Sequence, residues 1–135
     1  MKLLSLTNCS EVDVMTTFTD YAAQQQAREQ IAVNVHKWTL MLCDALEHNF
    51  KHRHSNSDPY KFYIEEGRKY HKIIMETGNG SRSVHAFVDK KTGEVYKSAS
   101  FKSPAKGVRY DLRLIEQREW LLQHADWSGG YLYAK

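Results

Sequence analysis

The sequence is poor in the residues that interrupt or cross-link a chain. It holds two prolines and two cysteines in 135 residues, and neither Pro nor Gly occurs between residues 10 and 49. Cys9 and Cys43 form no spaced pair, which argues against a disulfide-stapled secreted domain. We therefore expect ordinary thiols in a reducing compartment.

Long hydrophobic runs are also missing. No stretch approaches the roughly 18 consecutive apolar residues of a membrane-spanning helix. The first ten residues, MKLLSLTNCS, are too polar, and their apolar part too short, for the hydrophobic region of a signal peptide. We expect a cytoplasmic protein without a membrane partner.

Charge is unevenly distributed along the chain. The net charge is +3, but residues 61–113 carry +6, whereas residues 1–60 carry −2 and residues 114–135 carry −1. An anion-binding surface is therefore expected in the middle third. The pI of about 8.8 is low for a protein that grips long DNA, which favours a compact anion over nucleic acid.

The N-terminal part predicts a long helix over 10–50. Ser10 is a suitable N-cap, and Ile31, Val35, Trp38 and Leu42 recur at helical spacing. A helix of roughly 35–40 residues would run about 55 Å, longer than a domain of this size covers. Either it breaks near the glutamines at 24–26, or it projects and packs on another subunit. We favour a helix that projects and packs on another subunit, or two helices in line.

The pattern then changes to short β-branched and aromatic runs at 61–67, 69–77, 83–89 and 94–100, which predict antiparallel strands. Gly93 fits a hairpin residue of positive φ. A helix over 112–126 and an aromatic tail follow. The expected fold is α+β, one domain over 1–135: a long helix packed on a β-meander (sheet and basic loop, 60–110), then a short C-terminal helix with an aromatic tail (112–135).

Strand alternation gives a first expectation for the sheet faces. In the third run it sends Val84, Ala86 and Val88 to one face, and His85 and Phe87 to the other. His85 and His71, on adjacent strands, would be the pair that a two-histidine phosphodiesterase requires. The hydroxyl residues that such enzymes place two positions later are replaced here by Ile73 and Phe87. We expect a structural role for both histidines.

Motifs of catalysis are otherwise missing. The sequence has no phosphate-binding loop, dinucleotide fingerprint, nucleophile elbow or zinc-enzyme signature. His48, His52 and His54 have spacing like that of metal ligands, but neither Cys nor carboxylate completes a set. We assign them to a solvated helix end, where cationic groups suit the C-terminal dipole of the helix. We expect no catalytic residues, no metal and no cofactor.

Residues 100–113 interleave cations with aromatic rings. Lys and Arg suit phosphate oxygens, hydroxyls and turn N–H groups add donors, and a purine could stack on an aromatic face. The plain alternative, a solvated strand face, stays open. The candidates that this chemistry selects are Lys97, Ser100, Phe101, Lys102, Lys106, Arg109 and Tyr110.

The run ASFKSPAKGVR, residues 99–109, within the segment 81–113 resembles the phage Thoeris anti-defence sponges. That resemblance implies a non-enzymatic protein that oligomerises through its long helix and sequesters cyclic ADP-ribose isomers. Phe101 stands where the family often has Trp, and this chain continues beyond Arg109 where those sponges tend to stop. The resemblance implies the ligand-facing residues Arg82, Phe87, Lys97, Phe101, Lys106 and Arg109.

These observations lead to one expected function and two alternatives. We expect a phage protein of the host-cell cytoplasm that binds and sequesters a nucleotide-derived immune messenger, assembled as a homo-oligomer through the N-terminal helix. The alternatives are a nucleic-acid-binding phage accessory protein and, less favoured, a phosphodiesterase that degrades the messenger.

Overall fold

The structure, a computed structural model, describes the backbone of residues 10–133 and the side chains of residues 19–133. Contacts divide the chain into two units, residues 1–32 and residues 33–135. Cys9 lies outside the described residues. The elements are α1 (Ser10–Arg53), β1 (Lys61–Glu66), β2 (Tyr70–Glu76), β3 (Arg82–Asp89), β4 (Glu94–Lys97), β5 (Tyr110–Asp111), α2 (Ile115–His124) and a 3₁₀ turn (Gly130–Tyr133).

The predicted long helix is confirmed, and it is continuous through the glutamines at 24–26. Its C-terminal half buries one stripe: Val35, Leu42 and Leu46 are fully buried and Phe50 nearly so. Together with Thr39 they recur every three to four residues, which keeps them on one helix face. Thr39 lies in the same stripe and satisfies its hydroxyl by donating to the carbonyl of Val35 at 2.7 Å.

The strands form the expected antiparallel meander, in the order β1-β2-β3-β4-β5. The α+β fold predicted from the sequence is therefore confirmed. The strand β5 was not predicted, because two residues are too few to show alternation. Tyr110 pairs with Val95 and Asp111 with Glu94, so β5 closes the sheet at the β4 edge.

The helices cover one face of the sheet. Phe62, Ile73, Ala86 and Val95 are buried on this face. The backbone N–H of Phe62 donates to the Glu47 carboxylate at 2.8 Å, which fixes α1 against β1. We call this the helix-covered face; its contacts supply the apolar burial that stabilises the sheet.

A register shift in β2–β3 corrects the expected pattern of faces. Val84 pairs with Ile74 and Ala86 with Ile73, so His85 is an extra residue between two pairs. Ile73 and Ile74 are consecutive and point to opposite faces, so Val84 and Ala86 cannot share one. The expectation that side chains alternate between the two faces along the whole of β3 was wrong, because the bulge adds a residue to the strand without adding a pair.

The β3–β4 hairpin follows its predicted turn chemistry. Gly93 has φ of 76° and donates to the carbonyl of Asp89 at 2.9 Å. A Cβ at this position would come within 3.4 Å of Val35 on α1, so both conformation and space favour glycine. The carboxylate of Asp89 accepts from the backbone N–H groups of Lys91 and Thr92. The positive φ expected at Gly93 is confirmed.

The C-terminal segment returns to the core. Leu121 of α2 and Leu132 of the final turn are buried. The backbone N–H of Trp127 donates to the side chain of Asn49 on α1 at 3.1 Å. Within the described residues no helix is both long enough and apolar enough to span a bilayer.

Candidate functional site

The basic loop, residues 98–109, is fixed along the side of β4 that faces away from β3, next to β5. Ala105 N–H donates to the carbonyl of Lys97 and Arg109 N–H to that of Val95, both at 2.7 Å. Ser98 and Pro104 form an isolated antiparallel bridge. These backbone bonds continue the ladder beyond the end of β4, so the loop is an ordered extension of the sheet.

The first half of the loop is a serine turn. The Ser100 hydroxyl lies 3.0 Å from that of Ser103 and accepts from the backbone N–H groups of Lys102 and Ser103. Ala99 and Ser100 donate their own N–H groups to the carbonyl of Ser103, both at 3.1 Å. The Ser100 hydroxyl and these N–H groups thus hold the turn together, and a phosphate would have to compete for them.

Phe101 lies against a lysine of the sheet. Its ring is 44% exposed, and the Lys72 ammonium lies 4.8 Å from its centroid, within the range of a cation–π contact. The same ammonium is 5.9 Å from the ring of Phe87. Tyr70 meets Phe87 and Tyr96 edge-on, at centroid distances of 5.6 and 6.0 Å. We call Tyr70, Lys72, Phe87, Tyr96 and Phe101 the aromatic face.

The aromatic face lies opposite the helices. Lys72 pairs with Phe87 and Phe87 with Tyr96 across the strands, so these three side chains point the same way. Hydrogen bonding to Glu94 and desolvation raise the pKa of Tyr96 to about 12, desolvation being the larger cause. Tyr96 is therefore a neutral phenol at physiological pH, and Lys72 supplies the positive charge of this cluster.

The side chain of Lys97 points away from the aromatic face. It pairs with Ala86, the neighbour of Phe87, so its side chain leaves the sheet on the helix-covered side. Its ammonium lies 4.2 Å from the ring of Tyr133, which is 66% exposed. The structure therefore separates Lys97 from Phe101, although sequence reasoning had placed both in one site.

Arg82 is engaged in an ion pair away from the basic loop. Its guanidinium donates to Glu65 at 2.7 Å on the surface, and that hydrogen bond raises the pKa of the guanidinium. The contacts described for Arg82 are with Glu65 and Tyr63, both on β1.

Phe87 and Tyr110 are part of the core. They are 1% and 4% exposed, so neither presents an open ring to a ligand, contrary to the role expected for them. Tyr110 donates its hydroxyl to the carbonyl of Tyr131 at 2.6 Å and stacks on Trp120 at 5.5 Å. Burial raises the pKa of Tyr110. Both are buried members of cross-strand pairs, which their spacing along the sequence did not reveal.

The remaining cations of the loop differ in exposure. Lys102 and Lys106 are exposed, and Arg109 is partly buried. Phe101, Lys102 and Lys106 thus form the accessible part of the predicted site, and the fold adds Lys72 to them. Sequence reasoning missed Lys72 because its contact with Phe101 joins β2 to the loop after β4, which no local sequence pattern shows.

The two sheet histidines do not face one another. His71 is buried and its ring lies 5.1 Å from that of His36 on α1. His85 lies 2.7 Å from the hydroxyl of Tyr131, and burial lowers the pKa of His85 to about 4. The contacts thus pair His71 with His36 and His85 with Tyr131.

Cys43 is also a core residue. It is 3% exposed, and burial, with a smaller contribution from the carboxylates of Glu47 and Asp44, raises the pKa of the thiol to about 12. A thiol in such surroundings stays protonated and is a poor nucleophile.

A groove lies elsewhere, between the C-terminal half of α1 and α2. It has a volume of about 610 Å³, and its apolar lining comes from Met41, Ala45, Leu122 and Ala125. None of the ligand-binding residues predicted from the sequence lines this groove. Its size is that of a small-molecule site.

Comparison with known proteins yields one match. No curated protein and no solved structure is significantly similar to the chain. A family model does match it over residues 18–134, a range that includes most of α1 and all of the later elements. The chain therefore belongs to the family that this model describes, the family of unknown function DUF7717.

Proposed function

We propose that the protein is a non-catalytic binding protein for a nucleotide-derived anion, held where the basic loop meets the aromatic face. One observation carries the proposal: the half-exposed ring of Phe101 is backed by Lys72 at 4.8 Å, and Lys102 and Lys106 are exposed in the same loop. A base stacks on the ring and phosphate oxygens take hydrogen bonds from the lysines.

The energetics of this site favour a second subunit. Stacking contributes about 1–3 kcal/mol and each hydrogen bond to a charged group about 1.5–3 kcal/mol. Association costs about 4–15 kcal/mol, so a few surface contacts leave little net affinity. Tight sequestration requires more contacts than one loop offers, and a second copy of the chain is their simplest source.

The helix supports assembly as a homo-oligomer. The side chains at positions 19–30 of α1 are exposed in the single chain, apart from that of Gln25. Most helical stability in proteins comes from tertiary packing, and isolated helical segments are marginal in water. Packing between copies through α1 supplies that stabilisation and brings two basic loops into one assembly.

The resemblance to the phage anti-defence sponges suggests the biological ligand. In that interpretation the bound molecule is a cyclic ADP-ribose isomer or a related cyclic nucleotide made by a host immune sensor. The protein acts in the host cytoplasm by lowering the free concentration of this messenger, without cleaving it.

The test is capture and release. We would incubate the protein with ADP-ribose, cyclic ADP-ribose isomers and cyclic dinucleotides, remove free ligand, heat the complex and identify the released molecule by mass spectrometry. We expect one ligand to be recovered intact. Recovery of a hydrolysed product would support the phosphodiesterase alternative, and no capture of any member would contradict the proposal.

A matched pair of variants locates the site. Lys106→Ala should weaken capture at least tenfold, because it removes an exposed cation from the basic loop. Lys91→Ala removes an equally exposed lysine from the β3–β4 turn and should leave capture unchanged. Equal effects of the two substitutions would indicate attraction by overall charge instead of a site.

Single-stranded nucleic acid is the second candidate. The partly exposed rings of Tyr70 and Tyr96 continue the aromatic face beyond Phe101, and a row of rings can stack successive bases. Binding through Lys72, Lys102 and Lys106 would give a slope of about −2 for log affinity against log salt. An oligonucleotide that binds with this slope, while the small nucleotides do not bind, would favour this function.

A further inference from the structure

Two histidines near the end of α1 face the groove between the helices. His48 and His52 both line it, both are exposed, and α1 stays helical through Arg53. Residues four apart on a helix lie on one face, with Cβ atoms about 5–6 Å apart. Zinc enzymes use this same spacing to place two imidazoles on one metal ion.

The charge at the groove favours a cation. Asp44 lies one turn before His48 and lines the same groove. The neighbouring carboxylate of Glu47 is committed to the backbone N–H of Phe62 at 2.8 Å. Neutral imidazoles offer lone pairs to a metal ion, whereas an anion would meet the carboxylate of Asp44.

Within the described part of the chain, the site offers two ligands, His48 and His52. Among the described residues, no group of three or more His, Cys, Asp and Glu side chains could hold a metal ion. Asp44 and His52 are eight residues apart, about 12 Å along the helix, so they cannot share an ion through short contacts. An ion between His48 and His52 therefore keeps coordination positions open.

We propose that His48 and His52 together bind a divalent transition-metal ion at the edge of the groove. Imidazole ligands suit Zn²⁺, Cu²⁺ and Ni²⁺. The open positions face water or a small ligand in the groove, and the apolar side chains of Met41, Ala45 and Leu122 provide contacts for the rest of that ligand. This site is separate from the basic loop and does not depend on the proposed function.

The test uses Zn²⁺ alone and the tag-free full-length protein. Isothermal titration calorimetry should show one ion per chain, and the melting temperature should rise with Zn²⁺ concentration. His48→Gln and His52→Gln should each weaken binding at least tenfold, since even the loss of an outer-shell partner costs about 10–100-fold. Both side chains are exposed, so circular dichroism should show an unchanged fold.

Two controls separate this site from general histidine binding. His36→Gln removes an exposed histidine three turns earlier on the same helix and should leave Zn²⁺ affinity unchanged. Combining His52→Gln with Arg53→His keeps the number of histidines but moves the second imidazole off the face of His48, and should abolish the site. If native protein binds no Zn²⁺, or binds it as tightly as the His48→Gln or His52→Gln variant, the proposal is wrong.

Discussion

The two faces of the sheet handle polar groups differently. On the helix-covered face, His85 meets the Tyr131 hydroxyl at 2.7 Å, and the Tyr110 hydroxyl donates to the Tyr131 carbonyl at 2.6 Å. On the aromatic face, the ammonium of Lys72 lies 4.8 Å from the ring of Phe101 and is not fully buried. The first face holds a buried hydrogen-bonded network around Tyr131, whereas the second keeps a charge within reach of solvent.

This difference indicates which face is available for binding. Breaking the buried network would leave a donor or acceptor without a partner, which costs about 1–3 kcal/mol. A ligand at the aromatic face would instead replace water around Lys72 and Phe101, with no buried hydrogen bond to break. The aromatic face is therefore the better candidate for a ligand that binds and leaves.

The largest expected effect concerns the base of the aromatic face. Phe87→Ala should destabilise the protein by about 3–5 kcal/mol, because the ring is 1% exposed and its removal leaves a cavity beneath Lys72 and Tyr70. Urea unfolding followed by circular dichroism measures this change. A loss below about 0.5 kcal/mol would mean that the ring is not packed and could serve a ligand after all.

The next largest expected effect is a loss of stability in acid, which arises on the helix-covered face. Burial lowers the pKa of His85 to about 4, whereas an unfolded His titrates near about 6.5. Between these values the unfolded chain binds the extra proton, so stability rises with pH in this window and is lost as the pH falls. The slope should reach at most about 1.4 kcal/mol per pH unit for this one group. Burial also lowers the pKa of His71, which adds to the same trend.

The measurement is urea unfolding at several pH values from about 4 to about 7. His85→Gln should flatten the profile while leaving the contribution of His71 in place. An unchanged profile would show that His85 is already open to water in the native state.

The sequence predicted the elements better than the site. Residue spacing was enough for the long helix, and turn chemistry was enough for Gly93, because both depend on near neighbours. The site depends on register: the bulge at His85 and the pairing of Lys97 with Ala86 decide which side chains share a face. The contact of Lys72 with Phe101 joins β2 to the basic loop, and no local pattern contains it.

The third prediction compares exposed rings on opposite faces. Phe101→Ala should weaken nucleotide binding about 5- to 150-fold, the equivalent of losing about 1–3 kcal/mol of stacking. Tyr133→Ala removes an exposed ring that also lies beside a lysine, Lys97 at 4.2 Å, and should leave binding unchanged. Isothermal titration calorimetry with the captured nucleotide measures both. The reverse result would move the site to the helix-covered side of β4.

The smallest expected effect is that of Arg82. Its ion pair with Glu65 is solvent-exposed, and exposed ion pairs contribute little to stability, so Arg82→Ala should leave stability almost unchanged. Because the guanidinium is already held by Glu65 on β1, ligand affinity in one chain should not change. Calorimetry at low protein concentration and again at high concentration tests whether ligand affinity stays unchanged when copies of the chain associate. A loss of affinity that occurs only when the protein oligomerises would show that Arg82 reaches a ligand bound on a neighbouring copy.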